Sequence, residues 1–119
     1  MAFYRADATS ASDTEALMNF AVEHFGSLNC VVNNAGAGGV RGPIAETPVE
    51  GFDRSIALLL RGPFLGIKYA VPHMKSGTIV NIASISGITA GYSPRFFGEL
   101  TSEASASGLQ NEAPDHQHE

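Results

Sequence analysis

Two short apolar segments constrain this chain more than any other feature of it. Residues 28–32 run Leu28-Asn29-Cys30-Val31-Val32, and residues 78–83 run Thr78-Ile79-Val80-Asn81-Ile82-Ala83. Neither shows the strict apolar–polar alternation of a half-exposed strand. Short apolar runs without alternation suit strands buried on both faces, as in a parallel sheet. Each also ends in a polar cluster, Asn33-Asn34-Ala35-Gly36 after the first and Ser84 after the second. Parallel strands need a long crossover between them, and a helical one lies between these two.

Helical spacing fills the intervals. Before the first strand, Ser12-Asp13-Thr14-Glu15 has the form of a capping box, with Ser12 as the cap. Leu17, Met18, Ala21, Val22 and Phe25 then share one face, and Gly26 supplies a left-handed stop. Residues 37–43 hold three glycines and a proline, a loop composition. A second box, Thr47-Pro48-Val49-Glu50, places Pro48 at the first helical position. Phe52, Ile56, Leu59, Leu60, Phe64, Ile67 and Val71 carry that helix on to Pro72. The expected fold class is therefore α/β, half of a doubly wound parallel sheet. In such sheets ligands sit beyond the carboxyl ends of the strands, where the glycine and polar clusters fall here. A plain strand-to-loop turn is the other account of those clusters.

Composition limits the remaining choices. A chain of 119 residues makes one small domain. All seven Lys and Arg lie within residues 5–95, where seven acids balance them; the other five acids follow Pro94 and carry the whole net charge of −5. No basic patch suits nucleic acid. The richest apolar stretch is broken by Arg61, Gly62 and Pro63, which excludes a membrane span. One cysteine, Cys30, rules out a disulfide framework and suits a small core residue. With a single cysteine and no secretory signal at the start of the chain, a reducing, cytoplasmic setting is expected. Residues 98–119 are rich in Ser, Glu, Gln and Gly and form an expected disordered acidic tail. His116 and His118 lie in it, too sparse for a metal site.

The two motifs together resemble the short-chain dehydrogenase/reductase family. Asn33-Asn34-Ala35-Gly36 is similar to its NNAG motif, and residues 78–87 (TIVNIASISG) to its next strand with the catalytic serine. The resemblance implies a partial Rossmann-like domain over residues 1–97 and hydride transfer between NAD or NADP and a small alcohol or carbonyl substrate. Position by position, it gives Asp7 the adenine contact, with Ala8 beside it. A solvated turn aspartate is the alternative. Asn34, Ala35 and Gly36 lie along the adenosine ribose, Asn33 serves the sheet, and Ser84 holds the substrate carbonyl. The helix of residues 47–71 is implied as a face for homo- or hetero-oligomers.

Several features depart from the family. Gly36-Ala37-Gly38-Gly39 is no GxGxxG and follows the wrong strand, so the pyrophosphate-binding first unit is absent and cofactor binding is expected to be weak. The Tyr-x-x-x-Lys pair would fall at positions 97 and 101, which hold Phe97 and Thr101. Tyr92 is too close to Ser84 to replace it. The family's helix asparagine aligns with Leu59, where Pro63 cannot bond the carbonyl four residues back, which leaves room for the family's helix kink without the asparagine; a simple core leucine is the alternative. The resemblance stops at Arg95. The expected identity is thus a domain truncated at both ends, by natural truncation, frame shift or gene-model error, and inactive by itself. The alternative is a non-catalytic piece that pairs with full-length subunits. Either way, the first strand would present an open, aggregation-prone edge.

Overall fold

The structure is a computed structural model that describes residues 1–40 and 43–84. Its centre is a pair of parallel strands, β1 (Cys30–Asn33) and β2 (Thr78–Asn81), in register from Cys30 opposite Thr78 to Asn33 opposite Asn81. Backbone bonds from Thr78 to Asn29 and from Ile82 to Asn33 extend the ladder by one link at each end. The α/β expectation holds, with the crossover helical as parallel pairing demands. Both strands are shorter than their apolar runs. Asn29 interrupts the first run, its side chain accepts from the Ser27 hydroxyl at 2.8 Å, and pairing begins only at Cys30.

Helix α1 (Ala11–Phe25) precedes β1. Its cap is Ser10 rather than Ser12: the Ser10 hydroxyl accepts from the Asp13 N–H at 3.2 Å. Ser12 stands one position inside the helix, its hydroxyl 3.1 Å from that of Ser10. Gly26 ends the helix at φ +83°, and its N–H bonds the Val22 carbonyl. Only a residue without Cβ adopts that backbone cheaply, so here the sequence expectation is met.

The crossover is one helical run in three parts. Helix α2 (Val49–Ile56) passes into a π-turn (Ala57–Arg61), which passes into α3 (Gly62–Ala70). The second capping box does not form. Thr47 donates instead to the Pro43 carbonyl, and no side chain caps α2. Of the two accounts of Leu59, the irregular helix is the one observed: it takes the form of the π-turn, in which the Gly62 N–H reaches back five residues to the Ala57 carbonyl. Pro63, with no N–H to give, enters α3 directly after it. Short 3₁₀ turns at Ile44–Glu46 and Val71–His73 bracket the crossover.

Helices α1 and α3 lie against each other, and α3 lies on β1. Met18, Val31 and Ala70 form the buried centre, with Leu28, Tyr69, Met74 and Ile79 packed around it. Among the described residues the sheet is covered on one face, where burial on both was the expectation. Val31 is buried, whereas its neighbour Val32 is 55% exposed. Cys30, expected in the core, is exposed, because it shares the Val32 face. Phe25, on the expected apolar face of α1, is exposed too. Among the described residues, no helix is long and apolar enough to cross a membrane. The acidic tail of residues 98–119, Phe97, Thr101 and Tyr92 lie outside the described residues.

Candidate functional site

The carboxyl ends of both strands meet at a pair of asparagines. The Asn33 amide donates to the Asn81 side-chain oxygen at 2.7 Å and, more weakly, to the Pro63 carbonyl at 3.5 Å. Asn33 thereby ties β1 to β2 and the sheet to α3, as expected of a residue that serves the sheet. The approach is possible because position 66 is glycine: a Cβ there would overlap the Asn33 side-chain oxygen.

Beside this pair a cavity of about 230 Å³ opens between α1, β1 and the start of α3. Ala8, Asn34 and Ala35 line it together with Asn33, and its floor is apolar, with Leu17, Met18 and Pro63 among the contributors. Three of the six residues singled out from sequence thus meet on one cavity. Asp7, Gly36 and Ser84 are not part of its lining. Ser84 is half-buried, three residues beyond the end of β2. Gly36 is exposed, its backbone close to the Leu59 side chain. Sequence pattern gave no site role to several contributors, the buried Thr14 and Gly62 among them. Thr14 donates its hydroxyl to the Ser10 carbonyl at 2.9 Å, a helix-start contact invisible once the cap is assigned to Ser12. A second hollow of about 290 Å³, lined by Gly38, Gly39, Arg54 and Ser55, holds none of the six.

Asp7 sits at the turn that leads into α1. One carboxylate oxygen accepts both the backbone N–H and the hydroxyl of Thr9, each at 2.8 Å. The backbone N–H of Thr9, and then its hydroxyl, hold the Asp7 carboxyl below the ordinary carboxylate range, since both favour the charged form. The turn is closed by Ser10 N–H to the Asp7 carbonyl, and the Asp7 N–H donates to Asp13. The site therefore presents an exposed, ionised acceptor beside a small apolar cavity with amide groups at its rim. Among the described residues no cluster of His, Cys, Asp and Glu is arranged to hold a metal.

Comparison with known proteins gives this arrangement a lineage. The family model described as short chain dehydrogenase matches residues 1–95. The 2-(R)-hydroxypropyl-CoM dehydrogenase of Xanthobacter autotrophicus is 42% identical over 91 residues, covering 72% of this chain and 36% of that protein. The L-fucose dehydrogenase of Oryctolagus cuniculus is 40% identical over 87 residues, covering 71% of this chain and 31% of that protein. Among solved structures, NAD+-bound xylitol dehydrogenase matches 89% of this chain and 41% of its own, with a TM-score of 0.82 and 28% identity. ElxO with NADP bound matches 91% of this chain and 44% of its own, with a TM-score of 0.84 and 32% identity. The chain spans about a third of the length of the curated relatives it matches.

Proposed function

The chain belongs to the short-chain dehydrogenase family, and from that premise we propose that it carries the adenosine side of a nicotinamide-dinucleotide site and no complete catalytic centre. The observation behind this reading is the convergence of Ala8, Asn34 and Ala35 on one cavity, with the ionised Asp7 adjoining Ala8 in sequence. The cavity, at about 230 Å³, is smaller than the roughly 300–1,000 Å³ of a site for a drug-sized ligand. It matches part of a dinucleotide rather than the whole. Asp7 has the chemistry to accept a hydrogen bond from an exocyclic amine, and in this reading Asn34, Ala35 and Gly36 run along the adenosine ribose, the first two lining the cavity and Gly36 beyond it.

The fit to the rest of the cofactor is poor. No glycine-rich turn at a helix N-terminus stands among the described residues to receive a pyrophosphate, and Ser10 already caps α1. When bound, NAD or NADP supplies hydride transfer, here with a small alcohol or carbonyl substrate. Ser84 supplies a hydroxyl to orient that carbonyl. Proton transfer has no partner in the sequence, since Phe97 and Thr101 occupy the positions of the acid/base pair. A general acid or base contributes about 10²–10⁴-fold to rate, so its loss removes detectable turnover, and the missing pyrophosphate turn makes binding weak. The cytoplasmic setting expected from the single cysteine belongs to the same reading.

A nicotinamide absorbance assay on the purified chain, with NAD and NADP and a panel of alcohols and ketones, tests the proposal. No turnover is expected, and titration with NAD is expected to show weak binding that Asp7→Ala abolishes. Turnover that disappears on Ser84→Ala would overturn the inactive reading.

Exposed apolar residues on the crossover favour a second reading, a non-catalytic piece that pairs with longer subunits. Val49, Phe52 and Phe64 are 70%, 37% and 50% exposed. Co-purification with a full-length relative, lost on Phe64→Glu, separates it from the first.

A further inference from the structure

The Asp7 turn is held from beneath by residues fifty positions away in sequence. The Arg61 guanidinium donates to the Thr9 carbonyl across the gap between the π-turn and the start of α1. The next residue, Gly62, brings its backbone under the same turn. A Cβ at that position would stand 3.3 Å from the Ala8 carbonyl oxygen, closer than ordinary contact, and Gly62 is buried. Arg61 is the last residue of the π-turn, whose wider Gly62-to-Ala57 bond sets where residues 61 and 62 fall around the helix. One irregular turn of the crossover thus delivers both a donor and a close backbone to residues 8 and 9.

We infer that Arg61 is a positioning residue for the turn of residues 7–10. By fixing the Thr9 carbonyl it fixes the Thr9–Ser10 peptide, whose N–H closes the turn onto the Asp7 carbonyl; within that closed turn the Thr9 N–H and hydroxyl hold the Asp7 carboxylate, between the cavity-lining Ala6 and Ala8. Arg61 acts through Thr9 and makes no ligand contact itself. A lysine at this position keeps a donor but loses the planar fork, so it restores the strap only in part. The inference rests on the adenosine-side reading for its functional meaning, while the strap itself is a property of the folded chain.

Hydrogen exchange on the whole chain tests the strap without any ligand. The Thr9 and Ser10 amides, bonded to the Asp7 carboxylate and carbonyl, are expected to exchange about fivefold faster in Arg61→Met, the effect of losing one hydrogen bond. Amides in the middle of α1 and α3 stay unchanged, and Arg61→Lys recovers part of the protection. Unchanged exchange at residues 9 and 10, or an equal loss throughout α1, overturns the inference. Titration with adenosine 5′-monophosphate then gives the functional arm. Arg61→Met is expected to weaken binding about fivefold, with Asp7→Ala as the reference for a lost site. If Asp7→Ala removes binding and Arg61→Met leaves it intact, the positioning role is refuted while the proposed function stands. If the unaltered chain does not bind the nucleotide, the adenosine reading fails, and the exchange data still decide whether Arg61 holds the turn.

Discussion

The two faces of the β1–β2 sheet are built from similar residues and have opposite fates. On one face Val31, Ile79, Asn33 and Asn81 point toward the helices; Val31 is 8% exposed, and the two asparagines are bonded to each other beneath α3. On the other, Cys30, Val32, Thr78, Val80 and Ile82 face outward, with Val32 and Ile82 both 55% exposed. Valine at position 31 and valine at position 32 differ in nothing but the pleat, which sends successive side chains to opposite faces. An apolar run therefore records the coverings a fold of this kind requires, and the described residues supply one of the two. The chain spans about a third of the length of its curated relatives, so the second face marks a demand that the sequence pattern retains.

The sharpest way to break this comparison is to remove bulk from the covered face and from the open one. Met18 is 6% exposed and belongs to the buried centre beneath Val31. Met18→Ala is expected to cost about 2–5 kcal/mol, from lost transfer energy and the cavity left behind. Val32→Lys on the open face is expected to change stability by no more than about 0.5 kcal/mol, as for ordinary surface positions. It should also reduce self-association, because a charge on an exposed strand edge opposes edge pairing. Urea unfolding followed by circular dichroism gives the first pair of numbers, and light scattering gives the second effect. Equal destabilisation by the two substitutions would mean that the Val32 face is covered in solution.

A smaller effect sharpens the polar part of the covered face. Gly66→Ala adds a methyl where the Asn33 side-chain oxygen sits. Asn33 must then leave Asn81, and a broken, partly buried hydrogen bond costs about 1–3 kcal/mol. Alanine recovers up to about 1 kcal/mol in helix propensity, so the net loss is expected near 1 kcal/mol. In an Asn33→Ala background the same substitution should be neutral or stabilising, because the obstacle is gone. A double-mutant cycle measures this coupling, and additivity would show that the two positions do not meet.

The sequence carried the architecture further than the contacts. Parallel pairing, the helical crossover and the glycine stop at residue 26 follow from local pattern, because each depends on period or on a single backbone conformation. The caps did not follow. Ser10 and Ser12 offer the same hydroxyl two residues apart, and only the path of the turn that Asp7 and Thr9 close decides between them. The site was half legible. Ala8, Asn34 and Ala35 meet on a cavity, but Arg61 and Gly62 reach the same turn through a helix irregularity that sequence spacing signals only as a proline out of place. Burial of the strands is not legible in the sequence for a further reason: apolar type says that a face wants covering, and only the rest of the fold says whether it is covered.

The smallest expected effect concerns Asp7, which lies outside the contrast between faces and tests whether exposure alone sets magnitude. Its carboxyl is held below the ordinary value of 3.8 by the Thr9 backbone N–H and then the Thr9 hydroxyl. In the unfolded chain both donors are lost, so the unfolded value is the higher one. Between the two values the unfolded state binds more protons, and stability falls as pH is lowered through that window. Above pH 3.8 the contribution is complete; below the depressed folded value it has gone. Because the group is exposed, solvent screens the interaction and the stability change should be slight. Asp7→Asn should therefore differ most from the unaltered chain above this window, and the two should converge as pH falls through it. Carboxyl-carbon NMR titration reads the group directly, and a midpoint at or above 3.8 would show that Thr9 does not hold the carboxylate in solution.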